Sequence, residues 1–175
     1  MQRDPLNPGI ILQSGFLSVF RGRYDEAEAR FRALLRIPAN VQQAHYGLWG
    51  IFHEQGRYPE AYGEVKAYFS VLDDHGTIEA LERGHAEGGY KVALRRAADE
   101  LAERSRATYV RPYTVATLYA RADETELPLD WLERSFDARD LDIKYLRVGL
   151  SFRGLRGHLR FEALLRRMNL GAGGS

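Results

Sequence analysis

His45 and His53 share one helical stretch eight residues apart. Zinc chelation along a helix needs histidines at i and i+4, so this spacing misses the geometry. His75, His85 and His158 are scattered. They read as ordinary surface or half-buried histidines. Serine, histidine and aspartate all occur, but no Gly-x-Ser-x-Gly elbow is present to expose a nucleophile. Asp73-Asp74 and Asp140/Asp142 are paired carboxylates. They flank expected helix ends, where capping is the simpler role than acid–base work. Gly84, Gly88 and Gly89 lack the Gly-x-x-x-x-Gly-Lys of a phosphate loop and read as punctuation in a helix pair. No catalytic residues, metal site or cofactor are expected, and the chain is read as a non-enzyme.

Composition narrows the partners. Lys plus Arg number 25 and Asp plus Glu 24 in 175 residues, so net charge gives no general attraction to polyanions. Nucleic acid is therefore an unexpected partner. Arg147, Arg153, Arg156, Arg160, Arg166 and Arg167 do make the C-terminal end basic. Phe152, Leu155, Phe161 and Leu164 between them read as buried anchors, so the end reads first as a solubilising cap and second as a phosphate or acidic-partner surface. Cysteine is absent, which removes disulfides, thiol nucleophiles and thiolate metal sites and suits a reducing, cytoplasmic setting. No run approaches the ~18 apolar residues of a membrane span. The first eight residues lack an apolar signal core. Residues 171–175, Gly-Ala-Gly-Gly-Ser, read as a flexible tail.

The elements that position these side chains are set by a repeat. Gly22-Arg23-Tyr24-Asp25-Glu26-Ala27 recurs 34 residues later as Gly56-Arg57-Tyr58-Pro59-Glu60-Ala61. A looser copy is Gly88-Gly89-Tyr90-Lys91-Val92-Ala93. The glycine falls where the chain must reverse between two helices, and a positive φ is easiest for Gly. The tyrosine is placed to wedge between the two helices of a unit. The alanine falls where they cross. Acidic residues after the turn complement the dipole of the second helix, and Pro59 is tolerated in its first turn.

Apolar periodicity gives helices over 9–21, 23–37, 41–55, 57–73, 77–86 and 90–106, with the second ending at Pro38. Arg111-Pro112 opens a fourth unit, whose partner helix carries Leu129, Trp131, Leu132 and Phe136. A last short helix covers Phe161 to Met168, and no strand-period segment stands out. The units run about 9–38, 39–74, 76–107 and 108–139, with a C-terminal cap at 143–170. All belong to one all-α domain over 1–170.

A 34-residue unit with a Gly-x-Tyr-x-x-Ala core resembles the tetratricopeptide repeat. A second signal lies in Tyr109-Val110-x-Pro112-Tyr113-x-x-Ala116-x-Leu118-Tyr119-Ala120, Leu129-Asp130-Trp131-Leu132-Glu133 and Arg160-Phe161-x-x-Leu164-Leu165-Arg166-Arg167. It is similar to the closing segment of tetratricopeptide regions in bacterial multidomain regulators, which follow winged-helix, adenylate-cyclase or protein-kinase domains. The resemblance implies a right-handed superhelical solenoid with a concave, partner-binding face. Asp4-Pro5-Leu6-Asn7-Pro8 resembles a connector between units, so the chain reads as part of a longer array. There are departures: Trp49 stands where a small residue is usual, and Ser14 and Ser18 where larger apolar ones are.

In that architecture the first helix of each pair lines the concave face. Leu12, Phe16 and Val19 share one side of the first helix, and Tyr46 and His53 hold matching offsets on the third, with Gln43 and Gly50. The Lys, Asn and Arg of a carboxylate clamp are missing from these offsets. The face suits an apolar helix or extended peptide as ligand. Alternatively, Leu12 and Phe16 pack against a preceding unit, and end helices mediate self-association into a homo-oligomer. Trp131 reads as core rather than a ligand-stacking ring. Trp49 is open between the two.

Overall fold

A computed structural model describes residues 7–37, 41–147 and 149–169. The connector at 4–8 apart from Asn7 and Pro8, the helix stop at Pro38 and the tail at 171–175 lie outside them. The described residues are all-helical, without a strand, and consecutive helices pack in pairs. The chain divides into two compact units, Met1–Ile78 and Glu79–Ser175.

The first unit holds α1 (Pro8–Phe20), α2 (Tyr24–Leu34), α3 (Val41–Glu54), α4 (Tyr58–Val71) and the start of α5 (His75–Gly88). Asn7 caps α1 by accepting from the Gly9 amide at 2.9 Å, with Pro8 as the first helical residue. The α1–α2 and α3–α4 turns are the same object. Gly22 and Gly56 sit at φ 72° and 70°. The next amides, of Arg23 and Arg57, reach back to the Ser18 and Phe52 carbonyls at 2.9 and 2.8 Å. This is the doubly bonded helix end that a left-handed residue makes possible.

Phe31 of α2 organises this unit. Its side chain is fully buried. A Cβ added to Gly15 of α1 would stand 2.8 Å from its ring, and one added to Gly47 of α3 would stand 2.6 Å away. Two glycines on two helices thus make the slot for one ring. Ala27 and Ala61 are 0 % exposed, Trp49 is fully buried, and Val65, Tyr68 and Phe69 complete the α3–α4 core. Glu28, nearly buried on α2, accepts from Arg57 at 2.9 Å and pairs with Arg32, tying the second helix to the next turn.

The second unit holds the rest of α5, then α6 (Tyr90–Arg104), α7 (Pro112–Arg121), α8 (Glu126–Asp137), two short 3-10 helices (Leu141–Tyr145 and Leu150–Leu155) and α9 (Leu159–Arg167). The α5–α6 connection is a single residue, against three in each of the earlier two. The positive φ of 80° falls on Gly89, directly before α6, while Gly88 is still the last residue of α5. The α7–α8 turn reproduces the Gly22 geometry with Asp123 at φ 65°, and the Glu124 amide bonds the Tyr119 carbonyl at 3.1 Å. Asp is among the few non-glycine residues that tolerate this conformation.

Tyr119 of α7 donates to Asp99 of α6 at 2.7 Å. Burial first, and the Asp99 hydrogen bond second, push its hydroxyl well above the usual tyrosine range, so it remains a neutral donor. The ring of Phe152 meets that of Tyr113 edge-on at 5.4 Å, which seats the second 3-10 helix on α7.

Two helical glycines give opposite expectations. A Cβ on Gly84 would stand 2.7 Å from the Ala93 Cα and the Val92 carbonyl oxygen. Backbone cannot swing aside, so Gly84→Ala is expected to cost about 1–3 kcal/mol. Gly63 is exposed within α4 and meets nothing within 4 Å. Gly63→Ala should raise stability by about 0.5–1 kcal/mol through helix propensity alone. Thermal melts of the two variants should therefore move in opposite directions. A common sign would refute the close α5–α6 crossing.

Candidate binding face on the first and third helices

The face expected from the offsets is built on α1 and α3, which pack against one another in the first unit. Leu12 and Phe16 are half-buried on one flank of α1. The Phe16 ring leans edge-on against Phe31, centroids 5.0 Å apart. Val19 is only 4 % exposed and belongs to the core, so it has no surface to offer a ligand. On α3, Tyr46 is half-buried and packs on Trp49 and Tyr68 at 6.0 and 5.9 Å. Its ring extends an aromatic cluster that continues to Phe69, 5.1 Å from Tyr68. His53, half-buried, stands 6.0 Å from the Tyr58 ring. Gln43 is exposed and Gly50 buried.

The available surface is thus Leu12, Phe16, Tyr46 and His53, with Val19 beneath. Phe16 and Tyr46 each present one edge outward and rest the other on buried rings, which fixes their orientation. A pre-oriented aromatic loses little entropy on contact, so such residues suit recognition. Polar chemistry around the face is sparse. Arg30 bridges from α2 to the Ser14 carbonyl at 3.1 Å and to the Ser18 hydroxyl and Glu26. His45 Nδ1 lies 2.6 Å from Glu64 Oε2, joining α3 to α4. Among the described residues no group of three His, Asp or Glu side chains could hold a metal ion. No helix among them is long and apolar enough to cross a membrane.

The repeat residues divide by role. Ala27, Ala61 and Ala93 are all 0 % exposed at helix crossings. The tyrosines are not equivalent. Tyr90 is buried, Tyr24 half-buried, and Tyr58 at the surface beside His53, so a wedge between helices describes Tyr90 best. Gly15 and Gly47 do more for the core than the turn glycines, and the motif did not single them out. Each is a small residue facing Phe31 from a different helix, a contact visible only once the helices are packed. Trp49 and Trp131 are both buried, and Arg134 lies over the Trp131 ring at 4.5 Å.

Of the exposed apolar residues of α1, Ile10 and Leu17 lie on a different arc from the expected face, and Phe20, one turn after Phe16, borders it. Ile10, Leu17 and Phe20 are 37 %, 44 % and 41 % exposed. Their spacing of seven and three residues puts them on one side of the helix. No protein-family model, no curated protein and no solved structure matches this chain.

Proposed function

We propose that the chain is a tetratricopeptide-like, non-catalytic module that binds a protein or peptide segment, and that it serves a bacterial regulatory protein as scaffold or sensor. The reading includes a right-handed solenoid of helix pairs. It rests on one observation above others: two glycine turns of the same geometry, 34 residues apart, each followed five residues later by a fully buried alanine. In such arrays the first helices form the binding surface. Here they carry two half-buried, pre-oriented aromatics, Phe16 and Tyr46.

The test uses a displayed library of random dodecapeptides to select a ligand, followed by titration of the selected peptide. Phe16→Ala with Tyr46→Ala should weaken it by about 2 kcal/mol or more, as for hot-spot aromatics. Melting temperature is measured on the same variant. Full affinity in a folded double variant would remove the α1–α3 face as the site. Stability loss that accounts for the whole binding loss would make both residues packing groups.

A second reading is supported by the outward arc of α1. Ile10, Leu17 and Phe20 could join two copies of the chain without any peptide ligand. Sedimentation across a concentration series separates the two. A dimer that Leu17→Arg converts to monomer, with peptide binding absent, would favour assembly.

A further inference from the structure

Several arginines of the second unit find a carboxylate. Arg160 grips Glu126, Asp130 and Glu133 at 2.9, 2.7 and 3.0 Å. Arg167 pairs with Asp137 at 3.3 Å, Arg111 with Asp142 at 3.2 Å, and Arg95 with Glu124 at 2.6 Å. Arg147 and Arg156 depart from this pattern. Arg156 Nη2 donates to the Arg147 carbonyl at 3.2 Å, so the two residues converge. No carboxylate of the described residues pairs with either, and both are exposed. Arg153, also exposed, lies on the second 3-10 helix, and Arg156 follows directly after that helix ends.

Apolar side chains are interspersed with this basic group. Leu141 is 80 % and Tyr145 46 % exposed on the first 3-10 helix, and Leu159 is 84 % exposed at the start of α9. The two 3-10 helices are joined by a 2.7 Å bond from the Gly149 amide to the Tyr145 carbonyl. Residues 139–169 carry eight basic and three acidic side chains, a net of +5, in a chain whose total is +1. Positive charge is concentrated here, beside apolar side chains that water solvates poorly.

We propose that this face, centred on Arg147 and Arg156 with Leu141, Tyr145 and Leu159 around it, docks an acidic segment of a partner protein that also carries leucine or phenylalanine. Charge complementarity selects the acidic character, since exposed guanidinium groups without a carboxylate suit recognition of Asp or Glu. The exposed leucines select the apolar character. A nucleic acid fits less well. Phosphate tracking needs an extended basic stripe with stacking aromatics, and the near-neutral chain supplies one compact cluster. This face belongs to the second unit, whereas α1 and α3 belong to the first.

The experiment titrates the full chain into a fluorescein-labelled sixteen-residue peptide that alternates glutamate pairs with leucine. A peptide with lysine in place of glutamate and a duplex DNA of ~20 base pairs serve as alternative probes. The acidic peptide should bind saturably, more weakly as salt rises. Arg147→Glu with Arg156→Glu should reduce affinity by about tenfold or more. The neutral pair Arg147→Gln with Arg156→Gln should reduce it less, and guards against misfolding in the reversed pair. Phe16→Ala with Tyr46→Ala should leave this binding in place. Absence of saturable binding, equal binding of the lysine peptide, tighter binding of DNA, or affinity unchanged in both arginine variants would each overturn the proposal. Loss of binding only in the Phe16/Tyr46 variant would assign the peptide to the α1–α3 face instead.

Discussion

Phe31→Ala is expected to lower stability by about 3–5 kcal/mol, at the upper end for a buried phenylalanine. The upper end applies because the site cannot collapse. Two walls of the slot are glycines, Gly15 and Gly47, held in the backbones of two helices. The third contact, Phe16, meets the ring only by an edge at 5.0 Å. The reverse change should also destabilise. Gly47→Ala would ordinarily gain about 0.5–1 kcal/mol in a helix. Its Cβ would stand 2.6 Å from two atoms of the Phe31 ring, and Gly15 blocks the ring from retreating. Overpacking of about 1–3 kcal/mol then outweighs the propensity gain. Gly47→Ala combined with Phe31→Leu should cost less than the sum of the two changes, since the smaller side chain clears the new methyl. Urea unfolding followed through Trp49 fluorescence, in a Trp131→Phe background, reads the first unit. Additive losses would show that the ring is not clamped.

What was legible in the sequence follows from range. A turn is a local event, and Gly22 and Gly56 state it in six residues. The all-helical class follows from periodicity over ten to fifteen residues, which a single chain displays directly. Contacts across helices are less visible. Nothing near Gly15 or Gly47 announces that one ring from α2 fills both positions. The third turn misled by one residue, because Gly88 and Gly89 both fit the motif and only backbone geometry shows that Gly89 takes the positive φ. On the candidate face, matching offsets identified which residues share a side of α1. They could not say how deep that side sits. Val19 is in the core, while Leu17 and Phe20, two residues before and one after, stay at the surface. The C-terminal arginines looked alike in sequence. Only the acidic row on α8, at 126, 130, 133 and 137, separates the paired Arg160 and Arg167 from the converging Arg147 and Arg156.

Removal of residues 158–175 is expected to abolish cooperative unfolding of the second unit. Phe161, Leu164 and Leu165 of α9 are all buried. Each contributes about 1.5–3 kcal/mol by burial, so the helix supplies an amount comparable with the whole stability of a small domain. The ion pairs are the more visible feature but the lesser one. Arg160 is about a third exposed and meets three carboxylates, which hold its guanidinium firmly charged, Glu133 most and Asp130 next. Solvent screening leaves each such pair about 0–1 kcal/mol. Arg160→Met should therefore cost about 1–2 kcal/mol in dilute buffer, part of it from repulsion within the unneutralised acidic row. The loss should shrink toward zero near 1 M salt, where the screening length is about 3 Å. Phe161→Ala should cost about 3–5 kcal/mol and stay nearly insensitive to salt. Melts of both variants at low and high salt decide the order. If Arg160→Met proves the larger loss at high salt, α9 is held by its charges and the apolar account fails. If the truncated chain unfolds as sharply as the full one, α9 is an appendage, and the basic face beside it must be held by α7 and α8 alone.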